Sequence, residues 1–176
     1  MFKRLILCAL MLFSTACVLL PSDTLDAERT DVDRGRAAFE RANYAQALEF
    51  LVPEAEKGDM DAQYTVGLIY RFGLIGEINS YLAQKYLLMA ANQGHYAAQE
   101  QLAFLYSEQY QPLYNPIDAY HWYKVISARS SAYQARLDDL HWYLKSRDLL
   151  EKAEKLPAPR EQRYHGINYN SLFFYR

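Results

Sequence analysis

Tyr120 to Lys124 reads YHWYK and Leu140 to Leu144 reads LHWYL, so a His-Trp-Tyr triplet occurs twice in a chain with only four histidines. Two imidazoles beside indole and phenol rings could ligate a metal, relay protons or stack on a ligand. A zinc site needs three or four N, S or O ligands at suitable spacing, and the chain contains neither H-x-x-x-H nor C-x-x-C. Nucleophilic hydrolysis on a strand-to-helix elbow needs G-x-S-x-G, and phosphate binding needs G-x-x-x-x-G-K-[ST] or G-x-G-x-x-G; none of these is present. DVDRGR, starting at Asp31, has too few oxygen ligands at the right steps for a calcium loop. Asp138 and Asp139 are sequence neighbours, so on a helix they project about 100° apart and cannot share one reaction. These residues point to no catalytic site, no metal site and no cofactor.

What positions the triplets is a repeat. Asn43, Asn79 and Asn115 are spaced by 36 residues, as are Ala47, Ala83 and Ala119, and the aromatic series Phe50, Tyr86 and Trp122. Gly58, Gly94 and Ser130 keep the step, and so do the pairs Ala62 and Ala98, Gln63 and Gln99, and Tyr70 and Tyr106. A third copy follows with one residue lost, where Gln99, Leu102 and Leu105 return as Gln134, Leu137 and Leu140. Each copy predicts two helices. Val66, Ile69 and Tyr70 lie near helical spacing in the first of them. Asn79 stands where a side chain can accept from free backbone N–H groups at the start of the second. Pro116 follows Asn115 at a first helical position, where the missing N–H is harmless. Gly94 ends the second helix, free to take the left-handed conformation of a helix stop. The triplets are 20 residues apart and so hold different places in the unit: Trp122 is the aromatic of a second helix, whereas His141 and Trp142 align with Tyr106 and Ser107 on a first helix. Their likeness reads as a coincidence of aromatic-rich packing.

The segment YAQALEFLVPEAEKGDMDAQYTVGLIYRFG resembles Sel-1-like repeats, the longer-looped relatives of tetratricopeptide repeats. The motif positions are Ala47 and Phe50, then Ala55 and Gly58, then Ala62, Gly67 and Tyr70. The likeness spans about Gly35 to Ala153. It is strongest in the copy from Asp61 and weakest in the last, which has no recognisable loop. Gly73 and Gly76 are one place further apart than the family pattern, SEQYQPLYN has no Gly, and Asn stands where the family has Asp before the second helix. The opening unit, with its short turn at Ala42-Asn43, looks more like a tetratricopeptide repeat. The resemblance implies an all-α fold: an α-solenoid of about three to four stacked antiparallel helix pairs, whose groove binds another protein. Tyrosine gives large contact area for little entropy loss. The chain has 16 tyrosines, about three times ordinary usage. Those off the packing positions, Tyr64, Tyr110, Tyr133 and Tyr143, are the partner-binding candidates.

The termini add an address and a tail. MFKR followed by an apolar run from Leu5 to Leu20 matches a secretory signal helix. Ala16-Cys17 resembles the cleavage site of a bacterial lipoprotein, with Cys17 as the lipidation candidate, although Ser14 replaces the usual Leu. Plain cleavage after Ala16 and an uncleaved anchor are the other readings. Val18, rather than Asp, after that cysteine favours the outer membrane by resemblance to lipoprotein sorting. Both cysteines, Cys8 and Cys17, lie in this segment, so the body is held by packing and not by disulfides. The expected layout is a signal at 1–17, a linker at 18–29, a repeat domain at 30–156 and an irregular aromatic tail at 157–176. That tail either docks on the repeats or binds a partner through residues such as Phe173 and Phe174. A net charge of −2 offers no basic face for nucleic acid. The functional expectation is a non-enzymatic periplasmic scaffold or adaptor, exported and anchored at the outer membrane by a lipid if Cys17 is modified. Its partner is expected to be a protein of an envelope secretion, polysaccharide-export or motility assembly. The alternatives are a cell-wall or β-lactam-acting hydrolase and a secreted host-facing effector. The mature protein recovered from a bacterial envelope is expected to start at an acylated Cys17; intact mass spectrometry checks this, and a mature Cys17 without acyl chains gives the plain-secretion reading instead.

Overall fold

A computed structural model describes residues 30–156. Eight α-helices follow one another: α1 (Asp31–Glu40), α2 (Tyr44–Lys57), α3 (Met60–Arg71), α4 (Ser80–Asn92), α5 (Tyr96–Ser107), α6 (Pro116–Ser127), α7 (Gln134–Ser146) and α8 (Leu150–Lys155), with a 3-10 turn at Ser131–Tyr133 before α7. No strand occurs among the described residues. The fold is all-helical, and each helix packs on the one before it and the one after it in the chain. The expected signal, linker and tail, and with them Cys17, Phe173 and Phe174, lie outside the described residues.

The repeated asparagines begin the second helices. Asn43 Oδ1 accepts from the Gln46 N–H, Asn79 Oδ1 from the Leu82 N–H at 2.9 Å, and Asn115 Oδ1 from both Ile117 and Asp118. Each bond satisfies an N–H that the helix itself leaves open. The same residues also close the loops. The Asn79 N–H donates to the Tyr70 carbonyl and the Asn115 N–H to the Tyr106 carbonyl, both at 2.9 Å. The Gly-bearing loop needs Gly73 and Gly76 at φ +61° and +132°, a region that L side chains rarely enter. The loop of the next copy has no glycine, yet it ends in the same closing bond.

A second repeated device joins one helix pair to the next. Gly58 and Gly94 turn the chain at φ +108° and +94°, a conformation open to a residue without a Cβ. The residue after each glycine caps the coming helix: Asp59 Oδ1 accepts from the Ala62 N–H at 2.7 Å, and His95 Nδ1 accepts from the Ala98 N–H at 3.1 Å. One turn into each helix a buried glutamine reaches back. Gln63 Nε2 donates to the Ala55 carbonyl at 2.9 Å and Gln99 Nε2 to the Ala91 carbonyl at 3.1 Å; these carbonyls also accept the Gly58 and Gly94 N–H groups, so each glutamine adds a second bond that ties the end of one helix to the next pair. Gln93 Nε2 adds bonds to Gln63 Oε1 and the Gly58 carbonyl in the first joint.

The third joint lacks this device. Ser130 replaces the glycine and leads into the 3-10 turn. Gln134 is the first residue of α7, exposed and bonded to Asp138 at 2.8 Å, whereas Gln99 lies inside α5 and is buried. The sequence match between the two glutamines therefore does not carry the clasp. In α7 only Leu144 is fully buried.

The core follows from the small residues of the repeat. Ala47, Ala83 and Ala119 are fully enclosed. Helices approach so closely at Gly67 that an added Cβ would lie 2.8 Å from Leu87 Cγ, and Gly35 meets Leu51 in the same way across α1 and α2. Two apolar clusters result, one drawn from α1 to α4 and one from α4 to α6, with Tyr70 packed against both. A third, smaller cluster gathers Tyr120, Leu144 and Ala153 from the last three helices. Arg71, on α3, reaches past α4 to α5, where Nη1 donates to the carbonyl and to Oε1 of Gln101, both at 2.6 Å. Gly67→Ala is expected to destabilise the fold by about 1–3 kcal/mol through overpacking, and Asn79→Ala by about 1 kcal/mol through loss of the cap; lower urea midpoints with unchanged slopes check both.

Candidate functional site

A cleft with a cavity volume of about 410 Å³ opens between α7 and the chain from the end of α5 to α6. Arg136, Asp139, Leu140 and Tyr143 line it. They follow the i, i+3, i+4, i+7 spacing that puts side chains on one helix face. The facing wall is built from Ser107, Tyr114 and Tyr123. Trp142 stands at the rim with 72% of its surface exposed.

The Tyr114 hydroxyl is pushed up to about 12 by burial and by the neighbouring Tyr143 hydroxyl. The Arg147 guanidinium lies 5.6 Å from the Tyr143 ring centroid, within cation–π range. Arg136 and Asp139 are exposed on the same helix and have no ion-pair partner among the described residues. The cleft therefore offers aromatic walls and one charge of each sign. That set can bind a ligand; among the described residues that line it, none is a nucleophile hydrogen-bonded to a base. No group of three metal-ligating side chains converges among the described residues.

The four candidate tyrosines are dispersed. Tyr143 lies in the cleft. Tyr110 sits in the loop between α5 and α6 and is 99% exposed. Tyr64, on α3, is half-buried and stacks on His95 at 4.3 Å between ring centroids. Tyr133 donates to Glu100 Oε1 at 2.6 Å and packs by Phe104 and Tyr123. It borders a separate, open depression with Tyr96 and Arg129. The two His-Trp-Tyr triplets have opposite fates. His121, Trp122 and Tyr123 are buried on α6, while His141 and Trp142 are exposed on α7; Tyr120 is within ring-contact distance of both histidines. Trp142, Tyr114, Arg136 and Asp139 were not marked by the repeat pattern. The one available signal was that Trp142 aligns with a serine, so no packing slot called for an indole there.

No protein-family model matches the chain, and no curated protein matches it. The class that the fold and cleft define is an all-helical body with an aromatic, charge-bearing cleft at its last helices. Among the described residues no helix is long and apolar enough to cross a membrane.

The Tyr133 hydroxyl is pushed up to about 12 by its bond to Glu100 and by burial, from an ordinary value of 10.0. Above the ordinary value the unfolded chain gives up this proton first, so the unfolded state holds fewer protons than the folded one. The associated stability is present below about pH 10 and is lost as pH rises towards 12. Tyr133→Phe keeps the ring and removes the hydroxyl. Urea denaturation across that window is expected to show a shallower fall of stability with pH than in the parent chain.

Proposed function

We propose that this chain is a non-enzymatic adaptor of the bacterial envelope, an α-solenoid of Sel-1-like helix pairs that holds a protein partner through the cleft under α7. The observation that carries the reading is Trp142: an indole left mostly in water, on a helix with one fully buried residue, beside Tyr114 and Tyr143. Large aromatic rings with this exposure are the usual anchors of protein interfaces. Support for the solenoid is the coincidence of the 36-residue period with the repeated joints at Gly58 and Gly94. A two-helix unit cannot bury its apolar face alone, and stacking supplies the missing neighbour. The apolar N-terminal run and Cys17 support export and lipid anchoring at the periplasmic side of the outer membrane. The partner would then belong to a secretion, polysaccharide-export or motility assembly.

A photo-crosslinking amino acid at position 142 is expected to give a discrete intermolecular adduct in the intact envelope, where the same probe at exposed Lys124 on α6 gives none. Trp142→Ala is expected to weaken the captured partner's binding by about 2 kcal/mol, roughly 30-fold. Identical adducts from both positions would overturn the assignment of the cleft.

A further inference from the structure

The cleft carries three features that its own walls do not satisfy. Trp142 is mostly exposed, Arg136 and Asp139 have no ion-pair partner among the described residues, and Tyr114 and Tyr143 line the opening. An occupant that answers all three would bring aromatic rings, at least one carboxylate and at least one guanidinium within a short stretch. Such a stretch comes after α8 in this chain. EQRYHGINYNSLFFYR, from Glu161 to Arg176, holds Tyr164, Tyr169, Phe173, Phe174 and Tyr175 together with Glu161, Arg163 and Arg176. It lies outside the described residues. Its sequence has no helical spacing of apolar positions that would let it bury Leu172, Phe173 and Phe174 on a helix of its own.

Its starting point is also favourable. α8 packs on α6 and α7 through Ala153, Leu144 and Tyr120, with Leu140 against the same cluster. Leu140 also lines the cleft, so α8 packs on the helix that forms one wall of the cleft. A dozen extended residues span about 40 Å, more than the few helix diameters involved, each about 10 Å. Being part of one chain, the segment competes at a high effective concentration that no separate partner shares.

We propose that residues 161–176 are the resident occupant of the cleft, with Phe173 and Phe174 on the Trp142 rim and the charged residues of the segment paired to Arg136 and Asp139. This rests on the cleft being the binding site proposed above, and it adds regulation: a partner gains the site by displacing the chain's own tail.

The test uses the full chain with Trp122→Phe, which leaves Trp142 as the only indole. Docking predicts blue-shifted emission. It also predicts acrylamide quenching several-fold weaker than in the same chain carrying Phe173→Ser and Phe174→Ser, with far-UV circular dichroism unchanged between the two. Quenching equal in both chains overturns the proposal. Shielding that grows with protein concentration assigns the cleft to the tail of a second copy and overturns it as well. If Trp122→Phe fails to fold, the position-142 photo-probe in the otherwise unaltered chain decides instead: an intramolecular adduct mapping to 161–176 supports docking, and its absence sinks it. That outcome is separate from the intermolecular adduct sought in the envelope. A partner adduct without a tail adduct leaves the site standing and removes only the tail, whereas a tail adduct with no partner adduct does the reverse.

Discussion

The joint at Gly58 and Gly94 is the constraint on which the first three helix pairs depend. Two helices can be linked in two or three residues only if the chain reverses sharply, and reversal leaves carbonyls at one helix end and N–H groups at the other without partners inside their own helix. Glycine permits the turn and its N–H donates to a carbonyl of the helix just ended, Asp59 or His95 answers an N–H group of the helix about to start, and Gln63 or Gln99 adds a second bond to the same carbonyl. Because the glutamines are buried, their donated bonds form in surroundings where an unmet N–H would be costly. The joint thus fixes how one pair meets the next, and the apolar clusters fill the space it leaves. Arg71 adds a longer bridge, taking two acceptors from Gln101 on the following pair.

Much of this was legible in residue order and some was not. The 36-residue step located the second helices, because asparagine, alanine and an aromatic residue have distinct duties at a cap, a close approach and a filled gap. All three asparagines do cap helices, and the alanines are enclosed. The glutamine clasp was visible only as a recurrence: Gln63 and Gln99 repeat, but their partner is a backbone carbonyl eight residues earlier, which no residue type announces. His95 was hidden for a different reason. Imidazole is not among the favoured capping side chains, and its role comes from holding the place that Asp59 holds one unit before. A cleft assembled from a loop, two helices and a helix face is not encoded in any one stretch, so Tyr114 and Arg136 had no mark in the pattern.

An imperfect repeat has a structural cost in the third copy. Ser130 cannot turn as freely as Gly94, the chain takes a 3-10 turn, and Gln134 begins the helix instead of lying inside it. Without the clasp α7 keeps one side chain, Leu144, fully out of water. The missing residue in the period and the open aromatic face are thus two ends of one chain of causes. It also separates the fates of the twin triplets, since α6 is enclosed on both sides and α7 is not.

Leu144 and Ala153 are the only fully enclosed side chains that α7 and α8 supply, so few buried contacts hold these two helices closed. Hydrogen exchange there should run through local opening, at a free energy below that of global unfolding. A ligand that seats only on the closed form of this unit lends its own binding energy to that local equilibrium. Occupancy would then be felt as slower fraying of the carboxy-terminal helices, while the pairs joined at Gly58 and Gly94 would exchange as before.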